Sequence, residues 1–405
     1  MLASPFAYFR GAALPMASDL AGTPATGLNV QACGDAHLAN FGIFASPERR
    51  LVFDINDFDE TLPAPWEWDV KRLAASIEVA GRVNGFGAGQ RRQAAIAAVA
   101  QYRLAMQRFA GVGHLDVWYA HAELDEMTAQ FQQLLNARER KLAATDLASA
   151  TDSGSRQTLA RLTSQAGGQP RLDSRPPLLV PLGDLPSAAD TEGCEPQPNG
   201  ILANCLPTME SDRGYLIEHF EVADIARQVV GIGSVGMRCW VILLLGRDSR
   251  DPLFLQMKEA QASVLSAFAG ASTYPEAGQR VVAGQRLMQA ASDIFLSWYR
   301  ARRGTARQSR GFYLRQLRDW KFSLAVQDMG AGQLQVYGEL CGRTLARAHA
   351  RSGDRIAIAG YLGRSDVFDQ AVAAFAAAYA DQNERDYASL EAAVASGRLT
   401  AERGI

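Results

Sequence analysis

The sequence is poor in the residues that mark disulfide-rich, zinc-stabilised or nucleic-acid-binding proteins. Its 405 residues include five cysteines and five histidines. The cysteines are dispersed and have no Cys-x-x-Cys spacing, which argues against a disulfide framework or a structural zinc site and fits a reducing cytoplasm. The formal net charge is −2, so there is no general basic field to attract nucleic acid.

Long apolar runs are also missing. Residues 229–246 come nearest to membrane hydrophobicity, but Arg238 lies at the centre of this stretch and three glycines lie in its first half. It is too short and too interrupted to span a bilayer. The N-terminus lacks a basic n-region and Arg10 interrupts its apolar run, so no signal peptide is expected. The sequence therefore predicts a cytoplasmic protein with no membrane partner.

The residue patterns predict an α+β protein with four consecutive parts. Residues 1–150 hold an acidic stretch followed by helical patterns, the last of them a charged segment at 120–147, and residues 151–214 form a polar, proline-rich connection. Residues 215–330 carry short apolar and β-branched runs between tight turns, with strands predicted at 239–245 and 253–258, which indicates a small antiparallel β lobe. Residues 331–405 return to helical spacing, with helices predicted at 334–350 and 367–394. We expect the β lobe to pack on a mostly helical lobe that both chain ends build, with the active site between the lobes.

The densest group of polar side chains lies in residues 33–60, around a predicted strand at Leu51–Asp54. The group consists of Asp35, His37, Asn40, Asp54, Asp57, Asp59 and Glu60. Carboxylates crowded beside apolar chain repel one another and resist desolvation. A divalent cation, or a phosphate-bearing ligand bridged by one, would relieve that cost.

The spacing in this acidic stretch predicts a phosphotransferase site. Kinase-like enzymes place a base and two magnesium ligands with an Asp-x-x-x-x-Asn pattern, a strand and a further Asp. On this interpretation Asp35 is the base or orients the nucleophile, and Asn40 is a metal ligand. His37 is a second candidate catalytic residue, expected mainly to orient the loop. The other metal ligand is Asp54 or Asp57, and the position at the strand end favours Asp54.

A glycine-rich run lies far downstream, at Gly231, Gly233, Ser234 and Gly236. A dinucleotide-binding turn requires a helix next, but the residues that follow have the β-branched and aromatic character of a strand. The run therefore fits a phosphate-covering hairpin loop, or a tight hairpin with no ligand. Lys258 ends the next predicted strand, where a phosphotransferase keeps a lysine that contacts nucleotide phosphates.

Two other functions stay open on these residues. Asp35-x-His37 also begins the signature of two-metal phosphatases, but no other histidine lies in a Gly-Asp-x-x-Asp or Gly-Asn-His motif. A non-catalytic nucleotide-binding or scaffold protein could keep the same side chains. Asp69, on the helix after the acidic stretch, is placed to hydrogen-bond back to the loop of Asp35 in any of these cases.

Several stretches resemble one bacterial family, the domain-of-unknown-function family 2252. They are residues 4–11, 33–41, 53–60, 66–74, 231–240, 258–260, 284–293 and 346–354. That family is similar to the aminoglycoside- and choline-kinase-like phosphotransferases, whose catalytic and metal motif matches Asp35, His37, Asn40 and Asp54. The resemblance implies a two-lobe kinase-like fold, ATP and Mg²⁺ as cofactors, and a small-molecule or protein acceptor of a phosphoryl or adenylyl group.

The order of the motifs departs from that superfamily, in which the glycine loop and lysine precede the catalytic loop. Here Asp35 precedes Gly231 by almost 200 residues. The resemblance therefore implies a circular permutation, which is possible when the joined termini lie close together. The helical pattern at 340–350 would then lead into the catalytic loop from the far end of the chain, and Asp35 and Lys258 would converge. The glutamate partner of Lys258 stays open between Glu259 and Glu276.

Overall fold

A computed structural model describes residues 1–120, 122–123, 155–166, 168–185, 198–229, 236–301, 310–317 and 325–401. The helices in these ranges are α1 (Pro5–Gly11), α2 (Ala13–Ala21), α3 (Trp66–Val83), α4 (Ala88–Ala110), α5 (His114–Tyr119), α6 (Ser155–Leu162), α7 (Pro198–Cys205), α8 (Ser211–Ile217), α9 (Ser266–Ala269), α10 (Ala277–Met288), α11 (Ala331–Ser352), α12 (Arg355–Leu362) and α13 (Val367–Ala395). The strands are β1 (Asn29–Ala32), β2 (Phe41–Ala45), β3 (Leu51–Ile55), β4 (Leu62–Pro65), β5 (Ala122–Glu123), β6 (Thr163–Ala166), β7 (Gln169–Leu172), β8 (Leu179–Pro181), β9 (Glu221–Gln228), β10 (Cys239–Leu245), β11 (Pro252–Ala260), β12 (Ser297–Ala301) and β13 (Arg310–Gln316).

The helical part of the protein is a packed group of α3, α4, α11 and α13. Nearly every residue of α3 is buried, because other helices and the first strands cover it on several sides. Gly342 of α11 lies directly against the carbonyl group of Ala98 in α4, where a Cβ atom would overlap it. A glycine here lets the two helix backbones approach more closely than side chains would allow.

The β part of the protein is a six-stranded antiparallel sheet with the order β12-β13-β11-β10-β9-β8. Apolar side chains on one of its faces pack with residues of α7 and α8. The acidic stretch lies elsewhere, in a small sheet of β2, β3 and β5 and in the β1–β4 pair. The protein therefore combines small antiparallel sheets with a helical region, which confirms the expected α+β class.

The long periodic elements agree with the sequence patterns. The predicted strands at 239–245 and 253–258 are β10 and β11, and the predicted helices at 334–350 and 367–394 are α11 and α13. Most of the charged helical segment expected at 120–147 lies outside the described residues. The expected connection at 151–214 also contains regular structure, because β8 joins the edge of the six-stranded sheet beside β9.

The end of α11 lies beside β1, the strand that leads into the loop of Asp35. The backbone N–H of Gln31 donates to Ser352 Oγ at 3.1 Å, and Gly353 packs against Asn29 and Val30. The helical pattern at 340–350 thus ends next to the acidic stretch, although more than 300 residues separate Gln31 from Ser352 in the chain.

Within the described ranges, no helix has both the length and the apolar character needed to cross a membrane.

Candidate functional site

Asp69 of α3 fixes the backbone that leads into Asp35. Its Oδ2 accepts the N–H of Cys33 at 2.7 Å and its Oδ1 accepts the N–H of Gly34 at 3.0 Å. These are the hydrogen bonds back to the loop that the sequence suggested. Gly34 has φ +80° and lies so close to the Glu60 carbonyl that a Cβ atom would overlap it. A residue with a side chain would therefore displace the loop or the acidic stretch.

Behind Asp69 lies a buried hydrogen-bond chain that sequence reasoning missed. His349 Nε2 is 3.2 Å from Asp69 Oδ2, and His349 Nδ1 is 2.8 Å from the Tyr102 hydroxyl. The three side chains come from α3, α11 and α4, and each of the three residues is at most 1% exposed. His349 belongs to a stretch that resembles the family, but its position gave no signal that it would reach Asp69.

Asp35 is held by an arginine. Arg72 Nε donates to Asp35 Oδ1 at 2.6 Å, and Arg72 Nη2 contacts the same oxygen. The Asp35 side chain is 22% exposed, whereas that of Arg72 is 3% exposed. Asp35 therefore keeps a route to ligands while one of its oxygens is neutralised from the protein side.

His37 faces the other oxygen of Asp35, with Nε2 3.6 Å from Asp35 Oδ2. Burial lowers the pKa of His37 to about 4; the charge of Asp35 opposes this shift, and the charges of Arg72 and Arg10 add to it. The ring is therefore neutral near pH 7. Its Nδ1 atom is buried and has no hydrogen-bond partner.

Asn40 joins the loop of Asp35 to the acidic stretch after β3. Its side-chain Nδ2 donates to the carbonyl oxygens of Asp35 at 3.0 Å and of Asp57 at 3.1 Å. Both N–H bonds of the amide are thus used to fix its orientation, and Oδ1 remains as the acceptor of the side chain.

Asp54 and Asp57, the two candidates for the other metal ligand, have different surroundings. Asp54 is fully buried, accepts from Arg347 Nη2 at 2.6 Å, and accepts from the N–H groups of Ile55 and Ala290 at 2.9 and 2.8 Å. The Asp57 side chain is 41% exposed and lies 3.6 Å from the nitrogen of Lys258. The structure therefore places Asp57, rather than Asp54, where a solvent cation has access.

Lys258, on β11 of the six-stranded sheet, contacts the acidic stretch. Its Nζ donates to Asp59 Oδ2 and lies 3.6 Å from Asp57 Oδ2, and Tyr313 donates to Asp59 Oδ1 at 2.7 Å. Burial alone would lower the pKa of Lys258, but the charges of Asp57 and Asp59 outweigh it and raise that pKa well above its ordinary value. Lys258 is therefore a charged ammonium at physiological pH.

The carboxylate partners of Lys258 are two aspartates and not a glutamate. Glu276 pairs with Arg300 at 2.8 Å, and Glu259 pairs with Arg310 at 2.7 Å. Neither open glutamate candidate from the sequence is therefore an observed partner of Lys258.

Three residues of the glycine run, Gly231, Gly233 and Ser234, lie outside the described residues. Gly236 is described and has φ +90° with no atom close to the position of a Cβ. It precedes β10, whose first residue, Cys239, is paired with Lys258 across the β10–β11 ladder. The sheet thus brings the end of the glycine run near Lys258.

Among the residues that the structure describes, no three His, Cys, Asp or Glu side chains are grouped as a metal site. Asn40 Oδ1 and the Asp57 carboxylate are nevertheless suitable ligands for Mg²⁺, because this ion prefers oxygen and is commonly held by one or two protein ligands together with substrate phosphates and water. Asn40 Nδ2 donates to the Asp57 carbonyl oxygen, which keeps the two residues next to each other as a shared metal site requires.

A cavity of about 640 Å³ opens next to this cluster, between the six-stranded sheet and the β2–β3 hairpin. Its wall includes Asn56, which precedes Asp57, and Gln256, which is two residues before Lys258 on β11. Arg315 also lines it, donating to the Asn56 carbonyl at 3.2 Å and to Gln256 Oε1 at 3.1 Å. Asn56 is 8% exposed and its Nδ2 has no partner, so a ligand acceptor in the cavity could complete it.

Three of the remaining histidines have other surroundings. His114 is 3.1 Å from Arg355, His219 is 2.9 Å from the Tyr215 carbonyl, and His349 belongs to the chain behind Asp69. His121 lies outside the described residues. None of the three contacts His37, so these contacts do not supply the additional ligands that a two-metal phosphatase would require.

The chain belongs to a bacterial family. The profile of the family described as "Uncharacterized protein conserved in bacteria (DUF2252)" matches residues 1–393, nearly the whole length. No curated protein and no solved structure matches the chain.

Proposed function

We propose that this protein is an ATP- and Mg²⁺-dependent phosphotransferase. The proposal depends mainly on the contact of Lys258 with Asp57 and Asp59, which lie about 200 residues away in sequence. The Asn40 amide adjoins this cluster, because it donates to the carbonyl oxygens of both Asp57 and Asp35. A buried ammonium next to a solvent-accessible carboxylate is a suitable environment for a phosphate chain and its cation.

Each part of the site has a role in this proposal. Lys258 would contact nucleotide phosphates, exchanging part of its contact with the aspartates for phosphate oxygens. Asn40 and Asp57 would hold Mg²⁺, which supplies charge neutralisation for the phosphates when bound. Asp35 would accept the proton of the acceptor hydroxyl or orient it. The cavity beside Asn56 and Gln256 has room for the nucleoside.

Transfer of an adenylyl group would use the same parts, because it also requires a held phosphate chain, a cation and an oriented hydroxyl. The two reactions differ in which phosphorus is attacked. The products therefore distinguish them: phosphoryl transfer releases ADP, and adenylyl transfer releases pyrophosphate.

A second candidate, a non-catalytic nucleotide-binding protein, is favoured by one contact. Arg72 holds the Asp35 carboxylate through Nε at 2.6 Å, so one of its two oxygens already accepts from a guanidinium and is not available to the proton of an acceptor hydroxyl. A protein that only senses nucleotide would tolerate this neutralisation. Replacing Asp35 with Ala separates the two: a transferase loses turnover and still binds nucleotide, whereas a sensor has no turnover to lose and keeps its binding.

The proposal is tested by isothermal titration with ATP, with and without Mg²⁺. The expected result is saturable binding that requires Mg²⁺ and is lost in Lys258→Met and in Asp57→Asn. Lys71→Met is the matched control, because Lys71 is a buried lysine whose ammonium donates to Thr23 Oγ1 at 2.7 Å and not to this cluster. Binding by wild type that survives Lys258→Met, or no binding of ATP at all, would overturn the assignment of the nucleotide site.

A further inference from the structure

The cavity between the six-stranded sheet and the β2–β3 hairpin has several carboxamide side chains in its wall. Asn56, Gln256, Gln285 and Gln289 line it, and each of these residues is at most 8% exposed. A carboxamide is uncharged and presents hydrogen-bond donors next to an acceptor. These side chains therefore match the polar edge of a neutral heterocyclic ring.

Two charged side chains of the same wall are already bound within the protein. Arg315 donates through Nε and Nη2 to Gln256 Oε1, at 3.1 and 3.0 Å, and through Nη1 to the Asn56 carbonyl at 3.2 Å. Asp293 accepts two backbone N–H groups, at 2.7 and 2.5 Å. Hydrogen bonding to a ligand is thus left mainly to the uncharged side chains.

Asn56 has a fixed backbone and an unused side chain. Its N–H donates to the Asn40 carbonyl at 2.8 Å, and its own carbonyl accepts from Arg315. The neighbouring Ile55 carbonyl accepts from Gln289 Nε2 at 2.7 Å. Asn56 Nδ2, in contrast, is shielded from solvent and has no hydrogen-bond partner among the described residues. A buried amide donor without an acceptor is costly, so a ligand that supplies the acceptor gains affinity.

Both polar atoms of the Asn56 side chain can serve a ligand in the cavity. The last torsion of an asparagine side chain is soft, so a half-turn exchanges the positions of Oδ1 and Nδ2. The carboxamide matches a ligand edge that has one acceptor beside one donor. Adenine has this pair at N7 and the 6-amino group, whereas the same edge of guanine has two acceptors, N7 and O6.

The position of Asn56 favours that edge of the ring. Asn56 directly precedes Asp57, which lies 3.6 Å from the nitrogen of Lys258. Gln256 is two residues before Lys258 on the same face of β11, about 7 Å along the strand. The proposed phosphate site therefore adjoins this end of the cavity. In a nucleotide, N7 lies on the side of the purine nearer the 5′-phosphates, and N1 lies on the far side.

We propose that Asn56 is the base-recognition residue of this site and selects adenine. Its Nδ2 donates to N7, and its Oδ1 accepts from the 6-amino group. Asn56 contacts the base and not the reacting phosphorus, so its replacement changes which nucleotide binds. This inference rests on the proposed phosphotransferase function and adds to it the residue that determines nucleotide specificity.

The test is calorimetric titration with four nucleosides, which lack phosphates and so report on the base and ribose alone. Adenosine should bind. Purine riboside, which lacks the 6-amino group, and 7-deazaadenosine, which lacks N7, should each bind about three- to tenfold more weakly because one hydrogen bond is missing. Inosine should bind more weakly than purine riboside, because its O6 acceptor would face the Oδ1 acceptor.

Variants of Asn56 assign the two hydrogen bonds. Asn56→Leu, which is similar in size, should bind adenosine, purine riboside and 7-deazaadenosine equally. Asn56→Asp keeps an acceptor and loses the donor, so it should still prefer adenosine to purine riboside but no longer prefer it to 7-deazaadenosine. Asn29→Leu, which replaces an exposed asparagine of β1, is the matched control and should leave these affinities unchanged.

Circular dichroism spectra and melting temperatures show whether each variant is folded. Because Asn56 Nδ2 bonds to no described residue, Asn56→Leu should melt no lower than wild type. Asn56→Asp keeps the test decisive if the leucine variant is not folded.

Asp57→Asn separates this inference from the phosphate site. It should abolish the Mg²⁺-dependent binding of ATP and leave adenosine binding, because adenosine has no phosphate. Adenosine binding that depends on Asn56 supports the inference even if ATP binding does not require Mg²⁺. Absence of adenosine binding to the wild type, or a preference for adenosine that persists in Asn56→Leu, would overturn it, while Mg²⁺-dependent ATP binding would still support the phosphotransferase.

Discussion

Lys258 on β11, which is buried, and Asp59 after β3, whose side chain is 17% exposed, form an ion pair across 199 positions of sequence. The pair attaches the six-stranded sheet to the acidic stretch, and Tyr313 on the neighbouring strand donates to the same carboxylate at 2.7 Å. A single contact thus contributes both to the stability of the fold and to the electrostatics of the proposed phosphate site.

Replacing Lys258 with Met should reduce the free energy of unfolding by about 2–4 kcal/mol, because Asp59, whose side chain is 17% exposed, would be left largely shielded from water without its partner. Asp59→Asn in the same chain should recover part of that loss, since it removes the unpaired charge. Urea denaturation followed by tryptophan fluorescence measures both variants. A double variant less stable than Lys258→Met would contradict this account of the pair.

Asp54 and Asp57 should respond in opposite ways to replacement by Asn. Asp54→Asn should lower the free energy of unfolding by about 3–5 kcal/mol, because it leaves Arg347 buried without a counter-charge. Asp57→Asn should change stability by no more than about 1 kcal/mol, because its side chain is 41% exposed. It should instead abolish the Mg²⁺-dependent binding of ATP.

Denaturation and titration of the two variants decide between the metal ligands. If Asp54→Asn is as stable as wild type and no longer shows Mg²⁺-dependent ATP binding, the metal ligand is Asp54, as its position at the strand end suggested.

The pH dependence of stability should show two opposing contributions. Burial raises the pKa of Glu60 to about 7 in the folded protein, so the folded state holds this proton more tightly and stability falls as pH rises from about 4.5 to 7. Burial lowers the pKa of His37 to about 4, so stability falls as pH decreases from about 6.5 to 4. Shifts of this size each correspond to about 3 kcal/mol.

Single variants should separate these contributions. Glu60→Gln should make stability rise more steeply with pH between about 4 and 6.5, because only the His37 contribution remains. His37→Asn should make stability fall more steeply between about 4.5 and 7. Urea denaturation at a series of pH values gives both slopes, and parallel profiles for wild type and both variants would show that neither group is shifted.

Gly34→Ala should cost more stability than Gly27→Ala. The two glycines have similar φ angles of +80° and +78°, so the backbone penalty for alanine, roughly 1–2 kcal/mol, is shared. A Cβ at Gly27 meets no atom within 4 Å, whereas one at Gly34 overlaps the Glu60 backbone. The difference between the two unfolding free energies measures that contact, and equal losses would show that the loop moves freely away from Glu60.

The sequence predicts local features well and long-range partners poorly. The periodicity of 239–245, 253–258 and 367–394 identified β10, β11 and α13, because alternation and helical spacing are visible within a few turns of chain. The motif spacing likewise grouped Asp35 and Asn40 with Asp54 or Asp57, and it favoured Asp54 as the metal ligand.

No comparable sequence pattern indicates which side chains from distant elements come into contact. Arg347 reaches Asp54 across 293 positions, and its helix was expected from its spacing without any indication of which carboxylate it would meet. The preference for Asp54 as a ligand depended on its place at the strand end, and the structure shows that this carboxylate is used inside the fold. Arg72 was missed as a partner of Asp35 for the same reason.

The position of α11 has a consequence for synthesis on the ribosome. Asp54 and Asp69 are made early, but their buried partners Arg347 and His349 lie in a helix that ends at Ser352. Until that helix emerges, Asp54 and Asp69 lack these two partners and the apolar face that α11 covers is exposed, so the N-terminal third cannot complete its native structure as an early folding unit. The contacts of Asp54 and Asp69 with α11 therefore form late, after most of the chain has been translated.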